Sequence, residues 1–271
     1  GSSPRVTGCT FTDNTAELRG GAIYNDAGCT PSIIDCAFSA NVASAGGALY
    51  CGTNADATVE GSVFEQNTAG QQGGAVCNTN CMAAFAQCLF SSNTAGNAGG
   101  AVYIYRGNPK FVNCVLAGNV SGDNGGGVYA TSGAEARITN SSFWGNIAAT
   151  NGGALYQNNA TTEVKNAILR QDIPGEIFSA GAGTATITYS CVQGGYPGTG
   201  NIDDDPAYVD PQRGDLRLRA GSPCVDQGTP TGAPLVDYRE VARPQGAGID
   251  MGAYEQSLAD VPTADFVGEP L

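Results

Sequence analysis

The chain has 271 residues, 41% of them hydrophobic and only 14% charged, with 40 glycines, 10 cysteines and no histidine. Its net charge of -13 is uneven, about -5 over residues 1 to 200 and -8 beyond, which argues against a nucleic-acid partner. No apolar run reaches the length of a membrane span, and the lack of histidine removes Ser-His and Cys-His nucleophile systems.

From the first residues onward the chain repeats itself. A Gly-Gly block begins at Gly20, Gly46, Gly73, Gly99, Gly125 and Gly152, in steps of 26 or 27 residues. A second marker keeps pace, an apolar residue followed three positions later by Asn: Phe11/Asn14, Phe38/Asn41, Phe64/Asn67, Phe90/Asn93, Leu116/Asn119 and Phe143/Asn146, with a degenerate Leu169/Asp172 behind. No segment shows the 3.6-residue apolar period of a helix. Short alternating segments broken by Gly, Asn or Pro divide each unit into three short strands and three turns. The fold class is therefore all-β: a right-handed, single-stranded parallel β-helix, or solenoid, of seven to eight rungs stacked about 4.8 Å apart.

Equivalent positions should then form ladders of like chemistry. Five residues before the marker stand Val6, Ile33, Val59, Phe85, Phe111, Ile138 and Val164; two before it stand Cys9, Cys36, Ser62, Cys88, Cys114, Ser141 and Ala167. Both series read as inward. One residue after the marker the series is mixed, Glu65 and Trp144 included, as on a face in water. The Asn series is expected in turns, each amide bonding the backbone or the next Asn along the axis.

The motifs GGAIY, GGALY and GGAVY, with FTDN, FSAN and FSSN, resemble the repeats of chlamydial polymorphic outer-membrane proteins and related bacterial right-handed β-helix surface proteins, over about Gly1 to Asn166. The stretch from Asn201, including GSPCVDQG and ARPQGAGIDMGAYE, looks like the terminal region that closes many secreted bacterial β-helix proteins. The final PTADFVGEPL resembles the opening of a polycystic-kidney-disease-type β-sandwich domain. The expected organisation is a β-helix over 1–195, an irregular C-terminal capping region over 196–256 and an extended tail over 257–271. Gly1 aligns with the middle of a later rung, so an upstream segment or a second copy docked head-to-tail is expected to cover the first rung.

The cysteines sort by position. Cys9, Cys36, Cys88 and Cys114 fall on the inward ladder and are expected as thiols. Cys29, Cys51, Cys77 and Cys81 gather around one corner, where three disulfide pairings are open, and Cys191 with Cys224 could clasp the terminal region. This usage points outside the cytosol. Asp203, Asp204, Asp205 and Asp210 form an acidic turn that suits calcium, with turn capping as the alternative; for the corner cysteines zinc is the rival to disulfides, against which stand a spacing that matches no familiar ligand pattern and the lack of histidine. Glu60, Glu65 and Asp56 read as a solvated edge. Lys110, Arg137 and Glu163 read as a charge ladder. Tyr24, Tyr50, Tyr103, Tyr129 and Tyr156, interrupted by Cys77, read as rings stacked on one another along the shaft, with a sugar-stacking strip as the alternative. The expected role is that of an extracellular or bacterial cell-surface structural or adhesive protein, self-assembling or bound to other surface proteins or polysaccharide. A carbohydrate-active enzyme or sugar-binding module of the pectate-lyase-like class is the alternative.

Overall fold

In the computed structural model, which describes residues 1–257, the chain winds into a right-handed parallel β-helix. Each full rung carries four short strands rather than the three expected. One rung runs through Lys110–Val112, Val115–Ala117, Val120–Ser121 and Val128–Thr131. Stacking gives four parallel sheets of eight, eight, five and seven strands, named first to fourth here in the order the chain meets them. The third sheet was missed because its strands, such as Thr94–Ala95, are as short as two residues and carry no marker. The fourth follows the Gly-Gly block. At Gly100, on the inside of that block, a Cβ would lie 2.2 Å from Gly126 O of the next rung, so only glycine lets the chain turn there.

Inside the shaft the ladders are as the period predicts. Phe38, Phe64, Phe90, Leu116 and Phe143 are fully buried. The rings of Phe11, Phe38, Phe64 and Phe90 stack at 4.9, 4.7 and 5.0 Å. Phe11, Asn14 and Cys9 stand in the first rung and are more open than their successors, so the expectation of four buried ladder thiols fails for Cys9, which is exposed. Asn41, Asn67, Asn93, Asn119 and Asn146 have no exposed surface. Each donates its Nδ2 to the Oδ1 of the next residue in the file, at 2.9, 3.0, 2.9, 2.8 and finally 2.7 Å, where the acceptor is Asp172. The same Nδ2 caps a Phe or Leu carbonyl one rung back, as Asn93 does with Phe64 O at 2.9 Å. The buried corner thereby satisfies its own polar groups.

Changes of rung length enter at particular places. Ala69 pairs with Ala43 but Gln72 with Ala45, a bulge in the third sheet. Leu155 pairs with Ile177, a step of 22, whereas Asn146 reaches Asp172 in a step of 26, so the last rung has lost four residues at the corner around Pro174. The first two sheets keep one common step within each rung, 27 from Val6 to Ile33 and from Phe11 to Phe38.

The region expected as a cap does two things. Tyr196 packs on the end of the core, and Asn201 bonds Ile187 O at 2.9 Å, so 196–202 lies over the last rung. The chain from Asp203 then runs back along the outside of the second sheet. Asn166, Asn140, Asn113 and Gln87 hold it through their amides, donating to the carbonyls of Thr229, Asp250, Val236 and Asp237 at 2.8 to 3.2 Å. Beneath this flank Tyr208, Leu216, Leu218, Cys224 and Met251 form a second apolar core with the outward-facing Val115, Ile168 and Cys191. Trp144, read from sequence as facing water, is half-buried because Tyr208 packs edge-on against it at 5.6 Å. Inside the flank Arg243 pairs with Glu255 at 2.7 Å, both side chains inaccessible to solvent. The expected tail domain from 258 onward lies outside the described residues.

Candidate functional site

The outer face of the fourth sheet carries the aromatic strip. Tyr103, Tyr129, Tyr156 and Phe178 stack at 5.3, 4.9 and 5.6 Å, and Tyr24 on Tyr50 at 5.4 Å, with Cys77 between the two runs. These residues follow the Gly-Gly turn at a fixed offset, and strand alternation sends them outward while Leu49, Val76 and Val102 point in.

Beside Tyr24 and Tyr50 the corners between the third and fourth sheets rise as a wall and leave an open trough of about 870 Å³. Glu17, Arg19, Tyr24, Tyr50, Gln71 and Gln72 line it. The one extra residue of the bulge places Gln71 and Gln72 there, a consequence of register that no motif announces. Tyr24 is 48% exposed and Tyr50 only 5%, so one ring offers its surface and the other backs it. The Arg19 guanidinium lies 4.8 Å over the Tyr50 ring. That ring's proximity raises the Arg19 pKa further, and burial raises the Tyr50 phenol above its usual value, so both keep their protons at neutral pH. Aromatic face, amides, one cation and one carboxylate suit binding of a polar ring. Of the lining residues Glu17 is the only acid, and hydrolysis by paired carboxylates needs two.

The other candidates separate. Asp203 pairs with Arg170 at 3.0 Å and accepts Gly194 N; Asp205 caps Ala207 N at 2.9 Å; Asp210 faces Arg213 at 3.7 Å. Asp204 contributes its carbonyl to the Cys191 thiol. The structure thus does not assemble the expected calcium group, and no cluster of three such ligands exists among the described residues. Arg137 meets Glu163 at 3.4 Å in the charge ladder, exposed enough to add under about 1 kcal/mol. Asp56 caps Met82 N at 2.7 Å, while Glu60 and Glu65 face outward.

All ten cysteines are thiols in this structure. Of the corner group, Cys51 and Cys81 touch inside the shaft, Cys77 points outward on the aromatic strip, and Cys29 sits at the partly exposed start of the same ladder as Cys81. Cys191 and Cys224 touch in the second core.

Sequence reasoning missed one site. Glu176 follows Gly175 where the other rungs have Gly-Ala or, at Gly126, Gly-Gly, and it takes the buried position of Ala154. Its carboxyl therefore points into the shaft and meets Asp172, the end of the Asn file, beside a cavity of about 370 Å³. Asp172 Oδ1 accepts Asn146 N and Nδ2; Asp172 Oδ2 and Glu176 Oε2 have no hydrogen-bond donor. Burial raises both carboxyl pKa values, and the Glu176 charge raises Asp172 further, while the hydrogen bonds with Asp172 hold Glu176 lower, so the proton of the pair rests on Asp172, well above the usual carboxylate range. The degenerate PGEIF hid this, since it breaks the repeat at the informative residue.

A pH dependence follows. Because the folded pKa values are raised, the folded chain holds a proton that the unfolded chain releases. The pair's contribution is therefore most favourable below the unfolded carboxylate range and is lost as pH rises through the folded values. Asp172→Asn extends the amide file and removes one charge. Its melting temperature relative to the parent should rise between pH 4.5 and 8, by the equivalent of roughly 1–3 kcal/mol. Parallel melting curves across that range would show that the pair carries no linked proton.

With this geometry in place, comparison with protein families finds that the model for a right handed beta helix region matches residues 1–116. Neither curated proteins nor solved structures give a match. The class of protein is thus a right-handed parallel β-helix, built as a solenoid.

Proposed function

We propose that the chain is a structural or adhesive β-helix displayed outside the cell, with the Tyr24/Tyr50 trough as its contact surface for neutral polysaccharide. The carrying observation is an exposed aromatic ring stacked on a second ring, flanked by amides on an open wall. Sugar rings present C–H faces to aromatic planes and hydroxyls to amides, the two chemistries juxtaposed here. A trough with one cation and one carboxylate offers no net preference for a charged polymer. The likeness of the GGA and FxxN repeats to bacterial surface proteins supports the same reading. The sheets of the shaft are rigid supports for such a surface.

Affinity electrophoresis through gels containing a neutral β-glucan tests it. The parent chain should be retarded, and Tyr24→Ala should weaken retardation several-fold, the loss expected for one stacking face. Tyr24 is half exposed, so its truncation should leave the melting temperature within about a degree or two. Unaltered mobility of the parent in neutral and acidic polysaccharide gels alike would refute the reading.

A further inference from the structure

The flank that covers the second sheet is held to the shaft by hydrogen bonds and apolar packing, and at one point two sulfurs meet across the seam. Cys191 opens the last strand of the second sheet, in register with Ile168, and its side chain points outward with that of Ile168 into the second core. Cys224 arrives from the flank, in a turn fixed by Ser222 Oγ, which accepts Cys224 N at 3.2 Å and donates to Pro206 O at 2.6 Å, and by Met251 N, which donates to Cys224 O at 3.0 Å. Both residues are fully buried in that core, where each thiol perturbs the titration of the other, and Cys191 Sγ donates to Asp204 O at 3.0 Å. Sheet register on the shaft side and hydrogen bonds on the flank side therefore fix the backbone at both cysteines before any covalent link is made.

We infer that Cys191 and Cys224 form a disulfide that rivets the flank to the end of the shaft. Of the other candidate cysteines, Cys77 points outward between tyrosines and Cys29 is separated from Cys81 by the Ala55 rung, so neither has this setting. Cys88 lies with Cys114 and Cys51 with Cys81, but all four belong to the shaft's own core, so neither pair joins the flank to the shaft.

The chemistry is thiol–disulfide exchange with a small oxidised disulfide such as glutathione disulfide, while the flank is lifted. The nearby Arg170, on the shaft strand beside Cys191, favours its thiolate in that open state. Its thiolate attacks one sulfur of the oxidant and expels one thiolate. Cys224, deprotonated, attacks Cys191 Sγ in the mixed disulfide and expels the second. The protein loses two electrons and two protons, and the oxidant becomes two thiols. The closed loop spans about 33 residues and contains the acidic turn.

Peptide mapping tests the assignment. The full chain is folded in a glutathione redox buffer, alkylated without reduction and cut with trypsin. Residues 171–213 and 220–239 each hold a single cysteine, so the disulfide appears as one linked species of those two peptides. Adding reductant should lower the melting temperature of the parent by roughly 5–10 °C and leave Cys191→Ser and Cys224→Ser unmoved at the parent's reduced value. Recovery of both peptides alkylated and unlinked, or linked to other cysteine peptides, would overturn the proposal. So would an equal effect of reductant on the two serine variants.

Discussion

Phe64→Ala should cost roughly 3–5 kcal/mol, whereas Glu65→Ala beside it should change stability by less than about 0.5. Phe64 is fully buried, with Phe38 at 4.7 Å on one side and Phe90 at 5.0 Å on the other. Truncation opens a hole that neither ring can fill, because each is fixed by its own strand register and the rungs cannot approach closer than their backbone hydrogen bonds allow. Glu65 faces out from the same strand and is exposed. Urea unfolding of the two variants measures the contrast. Equal midpoints would mean that the strand faces are reversed.

Asn93→Ala should be as damaging, at roughly 3–5 kcal/mol, although it removes fewer atoms. Asn93 Oδ1 accepts both the backbone N and the Nδ2 of Asn67 at 3.0 Å, and its own Nδ2 serves Phe64 O and Asn119 Oδ1 at 2.9 Å. Alanine leaves two donors and a carbonyl without partners where no water reaches, at about 1–3 kcal/mol each before relaxation. Thermal melting of Asn93→Ala beside Thr94→Ala, whose side chain is exposed, separates the amide file from a general effect of the corner. A loss under about 1 kcal/mol would show that the file does not hold the corner.

The shaft was legible because its markers are its geometry. Phe64 and Asn67 recur at the step that stacks them, and a repeat so constrained leaves its period in the sequence. Three things were not legible. The third sheet is made of residues such as Thr94 and Ala95 that suit a turn as well as a strand. The flank depends on contacts between distant residues, Asn140 with Asp250 and Ala253 with Ser142 among them, and pairings over more than 100 residues leave no local period. The Asp172/Glu176 pair arises because the chain deletes four residues and then places a carboxylate where the ladder has alanine. The aromatic strip was visible, but the trough beside it depends on a bulge whose position only the register reveals.

The unequal rung lengths mark where the chain tolerates being edited. The first two sheets and the Asn file hold one common step within each rung, so an extra residue there would displace every buried group beyond it. The bulge at Ala69 to Gln72 and the shortened corner around Pro174 both lie between the third and fourth sheets. The step changes again between the fourth and first sheets, from 26 at Tyr105/Thr131 to 27 at Lys110/Arg137, so segments of different length can be spliced into either corner while the ladders above and below remain in phase. The corner between the third and fourth sheets forms one wall of the trough, so the outline of the proposed contact surface can be redrawn there by insertion or deletion with little cost to the shaft. In the reading proposed above, a change of loop length on this edge alters the outline of the trough while the buried files of the shaft keep their register.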